Sequence, residues 1–132
     1  MDVKETTSFT IAAENKPGTL AAFIGKMKQQ NIDLAGLWGW GEGPKAGIIA
    51  IPKNAGQFKK AVAAAGYAAT EGSCFQLTGE DRVGALTDTL DRVAKERVNL
   101  RAVDAVAHNG RYTAYIWTEA ADTEKVKRLL KS

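Results

Sequence analysis

Residues 14–20 read Glu14-Asn15-Lys16-Pro17-Gly18-Thr19-Leu20, and 66 positions further on the chain reads Glu80-Asp81-Arg82-Val83-Gly84-Ala85-Leu86. The glutamate, the glycine and the leucine recur unchanged, and a short polar residue holds the second place both times. At the same spacing Phe9 falls on Phe75, Ile24 on Leu90, Met27 on Val93, Ile32 on Val98, Asp33 on Asn99 and Leu34 on Leu100. No gap is needed from Glu5/Glu71 to Leu34/Leu100. The spacing is half of the 132 residues, so the chain reads as two copies of one unit, 1–70 and 71–132.

Working outward from the loop, Thr7–Ala13 alternates Phe9, Ile11 and Ala13 on one side, which predicts a strand. Gly18–Gln30 places Leu20, Phe23, Ile24 and Met27 at spacings of three and four, which predicts an amphipathic helix. Pro17 stands at its entry, where a missing N–H costs nothing. Strands are expected at Ile32–Trp40 and Ala46–Ile51, joined by the turn Gly41-Glu42-Gly43-Pro44. A helix at Ala55–Ala65 and a strand at Tyr67–Glu71 complete a βαββαβ order. The second copy repeats it: strand Ser73–Thr78, helix Val83–Glu96 with Val83, Leu86, Leu90 and Val93 inward, strand Val98–Val106, turn His108-Asn109-Gly110, strand Tyr112–Thr118 and helix Thr123–Lys131.

Copy two has no fourth strand after that helix. Val3–Thr6 aligns with Ala69–Gly72, the fourth strand of copy one. The residues near the N-terminus are therefore expected to supply the missing strand, with one long strand over roughly 3–13 and another over roughly 69–78, each serving both copies.

Composition sets bounds. Hydrophobic residues make up 45% and charged residues 25%, ordinary values for a folded protein. Eighteen basic against fifteen acidic side chains leave +3, too small an excess to mark a nucleic-acid surface. A single cysteine, Cys74, excludes an internal disulfide and any multi-thiolate metal site. A single histidine, His108, excludes mechanisms that need two. Neither a signal peptide nor an apolar run of roughly 18 residues is present, so no membrane partner is expected and the cytoplasm is the expected location. No nucleophile elbow, metal-ligand pair or phosphate loop appears, so no enzymatic activity, metal or cofactor is expected.

The loop Glu14–Leu20, followed by Asn31-Ile32-Asp33-Leu34, resembles the opening half of an ACT domain, the amino-acid-sensing module of biosynthetic enzymes. It is most similar to the copy at the C-terminus of phosphoglycerate dehydrogenases. The second copy matches more weakly, because Asp81 replaces the asparagine and Val83 the proline. The resemblance implies an α+β fold of two ferredoxin-like βαββαβ repeats, each an antiparallel sheet with helices on one face. It also implies a ligand site where two modules pair, the loop of one facing the start of the second strand of its partner. The implied site residues are Asn15, Pro17 and Gly18 with Asp33 in copy one, and Asp81, Val83 and Gly84 with Asn99 in copy two. The implied ligand is a free amino acid bound at the junction of the copies; with no catalytic or DNA-binding domain attached, a separate metabolic enzyme regulated in trans is expected, and a homodimer is expected because apolar sheet faces are hard to leave bare.

The loop chemistry suits such a ligand without the resemblance. A helix N-terminus offers N–H groups to a carboxylate, glycine lets a ligand approach the backbone, and a side-chain carbonyl accepts from an ammonium. The alternative is that Asn15 and Asp81 only cap their helices. If the copies pair side by side, Asn15 meets Asn99 in a neutral site while Asp81 meets Asp33, two carboxylates that repel a ligand carboxylate. Two other functions share the topology. An RNA-binding module would stack bases on Phe9/Phe75 and Tyr115/Trp117, and a ligand-free assembly module would only pair chains. Trp38 and Trp40 share one strand face and are expected in a core or interface. Cys74 is expected to be buried and His108 exposed.

Overall fold

The computed structural model describes residues 1–131. In order they form β1 (Asp2–Glu14), α1 (Thr19–Gln29), β2 (Leu34–Glu42), β3 (Lys45–Pro52), α2 (Ala55–Ala64), β4 (Ala69–Glu80), α3 (Thr87–Lys95), β5 (Leu100–His108), β6 (Arg111–Thr118) and α4 (Thr123–Lys131), with a short 3₁₀ turn before α4. The chain folds as two compact units, one of Thr7–Gly72 and one of Met1–Thr6 with Ser73 onward. In the first the strand order is β2-β3-β1-β4; in the second it is β1-β4-β6-β5. The N-terminal residues thus provide the fourth strand of the second repeat, and β1 and β4 each run unbroken from one unit into the other.

The two units share their sheet register at the 66-residue spacing. Phe9 pairs with Ala50 and Phe75 with Ile116. Both second strands carry an irregularity at the same place, Leu34/Gly36 and Leu100/Ala102. Both hairpins close with a two-residue turn, Glu42 opposite Lys45 and His108 opposite Arg111. Gly18 and Gly84 both take left-handed backbone, with φ of 86° and 78°, which a β-carbon would oppose.

Helix ends explain why the second strands start later than their hydrophobic pattern suggests. Ile32 and Val98 do not open strands. Their N–H groups turn back to Met27 O at 3.0 Å and Val93 O at 3.4 Å, and the preceding Asn31 and Arg97 bond Lys28 O and Ala94 O. Asn31 and Arg97 have φ of 57° and 58°. This is the Schellman closure, in which a left-handed residue satisfies the last carbonyls of a helix and an apolar residue after it packs back on the last turn. Gly66 and Tyr67 close α2 in the same way.

Each unit has its own core on the helix side of its sheet. In the first, Phe9, Ile11, Ile48 and Ala50 meet Phe23, Met27, Phe58 and Val62. The Phe9 and Phe58 rings lie 4.8 Å apart, and Tyr67 meets Phe23 edge-on at 5.2 Å. In the second, Phe75, Leu77, Ala114 and Ile116 meet Val93, Val126 and Leu130. Val83 was expected to face inward; it is fully exposed. Without a proline to preset the entry, residues 83–86 form a turn and α3 begins only at Thr87, so Val83 precedes the helix whose apolar stripe it was to join. Leu20 is 42% exposed for a different reason: it lies over Gly39, at the rim of its unit's core.

Cys74, Tyr115 and Trp117 point to the sheet face away from α3 and α4, and all are buried. Burial pushes the Cys74 thiol up to about 12, because the thiolate would lose its hydration. His108 is exposed at the β5–β6 hairpin. No helix among the described residues is long and apolar enough to cross a membrane.

Candidate functional site

The loop between β1 and α1 is strapped to the β2–β3 hairpin by both ends of Asn15. Its backbone N–H donates to Pro44 O at 3.0 Å, and its side-chain Nδ2 donates to Gly43 O at 2.9 Å. Thr19 Oγ1 donates to Glu14 O at 2.8 Å, which closes the loop across its base. Two strand glycines make room for this loop. A β-carbon on Gly41 would stand 2.6 Å from the Asn15 carboxamide, and one on Gly39 would touch Leu20 at 3.4 Å. Glycine inside a strand marks such a close approach, and that is the signal by which Gly39 and Gly41 could be assigned to the site from sequence.

Asn15 does not cap α1. The cap residue is Gly18, which supplies no side-chain acceptor, and the first helical N–H bonded back to it is that of Ala22, at 2.9 Å. The Thr19 N–H turns back to Lys16 O at 3.3 Å, and the remaining first-turn donors are those a ligand or water can take. With Nδ2 committed to Gly43, Asn15 presents Oδ1 as an acceptor. A cleft of about 240 Å³ lies here, lined by Asn15, Lys16, Thr19, Leu20, Trp40 and the glycines of the hairpin. Its backbone and amide donors and acceptors suit a molecule bearing both a carboxylate and an ammonium.

The second loop is built alike and differs in chemistry. Asp81 N–H donates to Gly110 O at 2.9 Å, the counterpart of the Asn15 backbone bond. Asp81 does not cap α3 either: Leu86 holds that place, with no side-chain bond. Pro17, Gly18, Val83 and Gly84 are all exposed in their loops.

Within one unit the loop and the second-strand residue do not meet. Asn15 sits beside Gly41 and Gly43, at the end of β2, whereas Asp33 precedes its start. About eight residues of strand separate them, roughly 25 Å at ~3.3 Å per residue. Asp33 is not a bare charge. Lys53 Nζ stands 2.8 Å from Oδ2, and the Lys53 N–H donates to Asp33 O at 3.0 Å. No sequence pattern pointed to Lys53; its position follows from the bend between β3 and α2. Asn99 is exposed at the corresponding place before β5.

The aromatics required for base stacking are not available. Phe9 and Phe75 face the helices and are 1% exposed, and Tyr115 and Trp117 are 8% exposed. Tyr115 is further engaged by Gln76 Nε2 at 3.3 Å.

No protein-family model and no curated protein sequence matches the chain. Solved structures match it over nearly its full length. A protein of Bacteroides thetaiotaomicron superposes with a TM-score of 0.87 at 20% identity, covering 98% of this chain and 88% of that one. The ligand-free regulatory subunit of aspartate kinase from Thermus thermophilus superposes at 0.67 with 14% identity, covering 98% and 93%. The chain has the tandem ACT fold. Aspartokinase III of Escherichia coli, solved with aspartate and ADP, carries the same fold in one part: its TM-score is 0.59 at 14% identity, covering 97% of this chain and 31% of that enzyme.

Proposed function

We propose that the protein is a non-catalytic regulator that binds a free amino acid through its β1–α1 loop and acts on a separate metabolic enzyme. The observation that carries this reading is the Asn15–Gly18 loop. It combines an uncapped helix start, a glycine corner and an amide oxygen held at fixed orientation by the Gly43 bond, all around a cleft of about 240 Å³. The carboxylate of the ligand takes the α1 N–H groups and its ammonium takes Asn15 Oδ1.

Because Asn15 and Asp33 lie far apart inside a unit, a second-strand residue that closes over the ligand would come from another module, and a homodimer supplies further modules. The solved regulatory subunit of aspartate kinase has this architecture as a separate chain, which supports action in trans. A ligand that touches two modules favours one arrangement of them, and that population shift is the signal passed on.

The first test is a thermal-shift panel of the twenty amino acids on wild type, Asn15→Ala and Asp81→Ala. At a hundredfold excess over Kd a specific ligand adds about 2.7 kcal/mol, or roughly 6–10 °C for a chain of this size. One or a few amino acids are expected to do so for wild type and not for Asn15→Ala. No shift with any of the twenty would overturn the proposal.

A further inference from the structure

The sheet of the first unit leaves part of one face to solvent. Phe9, Ile11, Ile48 and Ala50 turn to the helices, so the alternate residues Thr10, Ala12, Gly47 and Ile49 turn away from them. On that outer face the register sets Trp40 beside Gly47 and Gly47 beside Ala12, with Glu42 beside Lys45 two residues further along each strand. Trp40, Glu42, Lys45, Thr10 and Ala12 are all exposed. The indole lies over Gly47, which has no side chain to lift it, and a hollow of about 650 Å³ opens beside it. At the repeat spacing the places of Trp40, Gly47, Glu42 and Lys45 are taken in the second unit by Val106, Thr113, His108 and Arg111. The tryptophan, its glycine floor and the acid–base pair thus occur together in the first unit alone.

These four residues are complementary to themselves. Consider a two-fold axis lying in the face, along the strands and midway between β2 and β3. It sets each residue of β2 over that residue's cross-strand neighbour in a second copy. Glu42 then meets the partner's Lys45, and Lys45 meets the partner's Glu42, as an isologous contact requires. Among the described residues neither Glu42 nor Lys45 forms an ion pair within its own chain. The same axis brings the two indoles together, because each already lies over Gly47, the residue opposite it. Sheet, indole, indole and sheet make three contacts of ~3.5 Å, which matches the ~10 Å at which sheets pack face to face. In the second unit the same axis would set His108 on Arg111, with no opposite charge and no aromatic pair.

We propose that this outer face of β2 and β3 pairs two copies of the chain, with the Trp40 indoles stacked on the axis and the Glu42–Lys45 pairs beside them. The inference rests on the reading above only for the homodimer, whose face it names. It needs no ligand, and it leaves the free edge of β2 open to other modules. The face covers three strands and about five residues of each, roughly 15 Å by 17 Å or ~250 Å², against ~800 Å² per partner in a standard interface. The pair is therefore weak and reversible.

Sedimentation velocity on the full chain, from about 1 μM to about 1 mM, covers the range in which so small an interface exchanges. Wild type is expected to form a reversible dimer. Trp40→Ala is expected to weaken it at least about tenfold, as loss of a central tryptophan does. Glu42→Lys and Lys45→Glu each create two like-charge contacts across the axis, and each is expected to weaken the dimer about tenfold. The double variant Glu42→Lys/Lys45→Glu exchanges the charges and is expected to pair as wild type. An equimolar mixture of the two single variants is expected to form a heterodimer more tightly than either pairs with itself. All three positions are exposed, and far-UV circular dichroism checks that each variant is folded. A wild-type chain that stays monomeric at about 1 mM would overturn the proposal and the homodimer with it. A dimer that folded Trp40→Ala leaves intact would overturn this face while the homodimer stands. So would single charge variants that pair as wild type, or a mixture that gains nothing.

Discussion

Gly47→Ala should destabilise the protein through one neighbour, Trp40. The two residues face each other across β2 and β3, and the indole lies so flat on Gly47 that a β-carbon there would overlap it, with Cη2 only 2.7 Å away. Trp40 is 48% exposed, so about half of a ~250 Å² aromatic surface is covered. At ~25 cal/mol per Å² that cover is worth about 3 kcal/mol at most. A compact denatured state lowers this by roughly 10–40%. The added methyl stiffens the unfolded chain and returns about 0.5–1 kcal/mol. Because Trp40 has solvent to swing into, the net cost is expected at about 1–2 kcal/mol, read as a lower urea midpoint with an unchanged slope. Its emission should shift red as the indole becomes fully exposed. The decisive comparison is the same substitution in a Trp40→Ala background, where it should be neutral or stabilising by up to about 1 kcal/mol. An equal cost in both backgrounds would refute the stacking of Trp40 on Gly47.

Two further outcomes follow from the helix ends and the buried thiol. Arg97 holds φ of 58° where Gly66 closes α2 without strain, so Arg97→Gly should raise the thermal midpoint, by about 0.5–1 kcal/mol in stability. Asn31→Gly should gain less, since asparagine tolerates this backbone, and a loss in Arg97→Gly would speak against the closure described. Cys74 keeps its proton in the folded state up to about 12 against an ordinary value near 9. Between those values the folded chain binds more protons than the unfolded one, so stability is fully present below pH 9 and falls as pH rises through that window, by up to about 1.4 kcal/mol per unit. Cys74→Ala should flatten this slope, and wild type should react with thiol reagents only on unfolding; rapid native labelling would contradict the burial.

The repeat was legible because the loop and the apolar positions recur at one spacing, and that spacing carries through to individual hydrogen bonds such as Asn15 N to Pro44 O and Asp81 N to Gly110 O. The missing fourth strand of copy two could be traced to the N-terminus because Val3–Thr6 aligns with Ala69–Gly72. Strand starts were misplaced by two residues because Ile32 and Val98 satisfy an apolar pattern while serving the helix before them. An asparagine at position 31 hinted at a helix end, whereas arginine at 97 carries no such signal. The local build of the site was half legible. Asn15 and Gly18 could be named from their loop, but the hydrogen bond that orients the amide comes from Gly43, 28 residues away. The Lys53 partner of Asp33 is equally remote from any local motif, and it neutralises one of the two carboxylates that the sequence placed in opposition.

Calorimetric titration of wild type, Asn15→Asp and Asp81→Asn with the amino acid giving the largest thermal shift bears most directly on the amide of residue 15 as the ligand's anchor. Asn15→Asp removes the Nδ2 donor and sets a carboxylate oxygen against the Gly43 carbonyl oxygen, so the acceptor that faces the ligand ammonium loses its fixed orientation. Binding at least about tenfold weaker is expected there, with Asp81→Asn binding as wild type or tighter. Undiminished affinity in Asn15→Asp would contradict it.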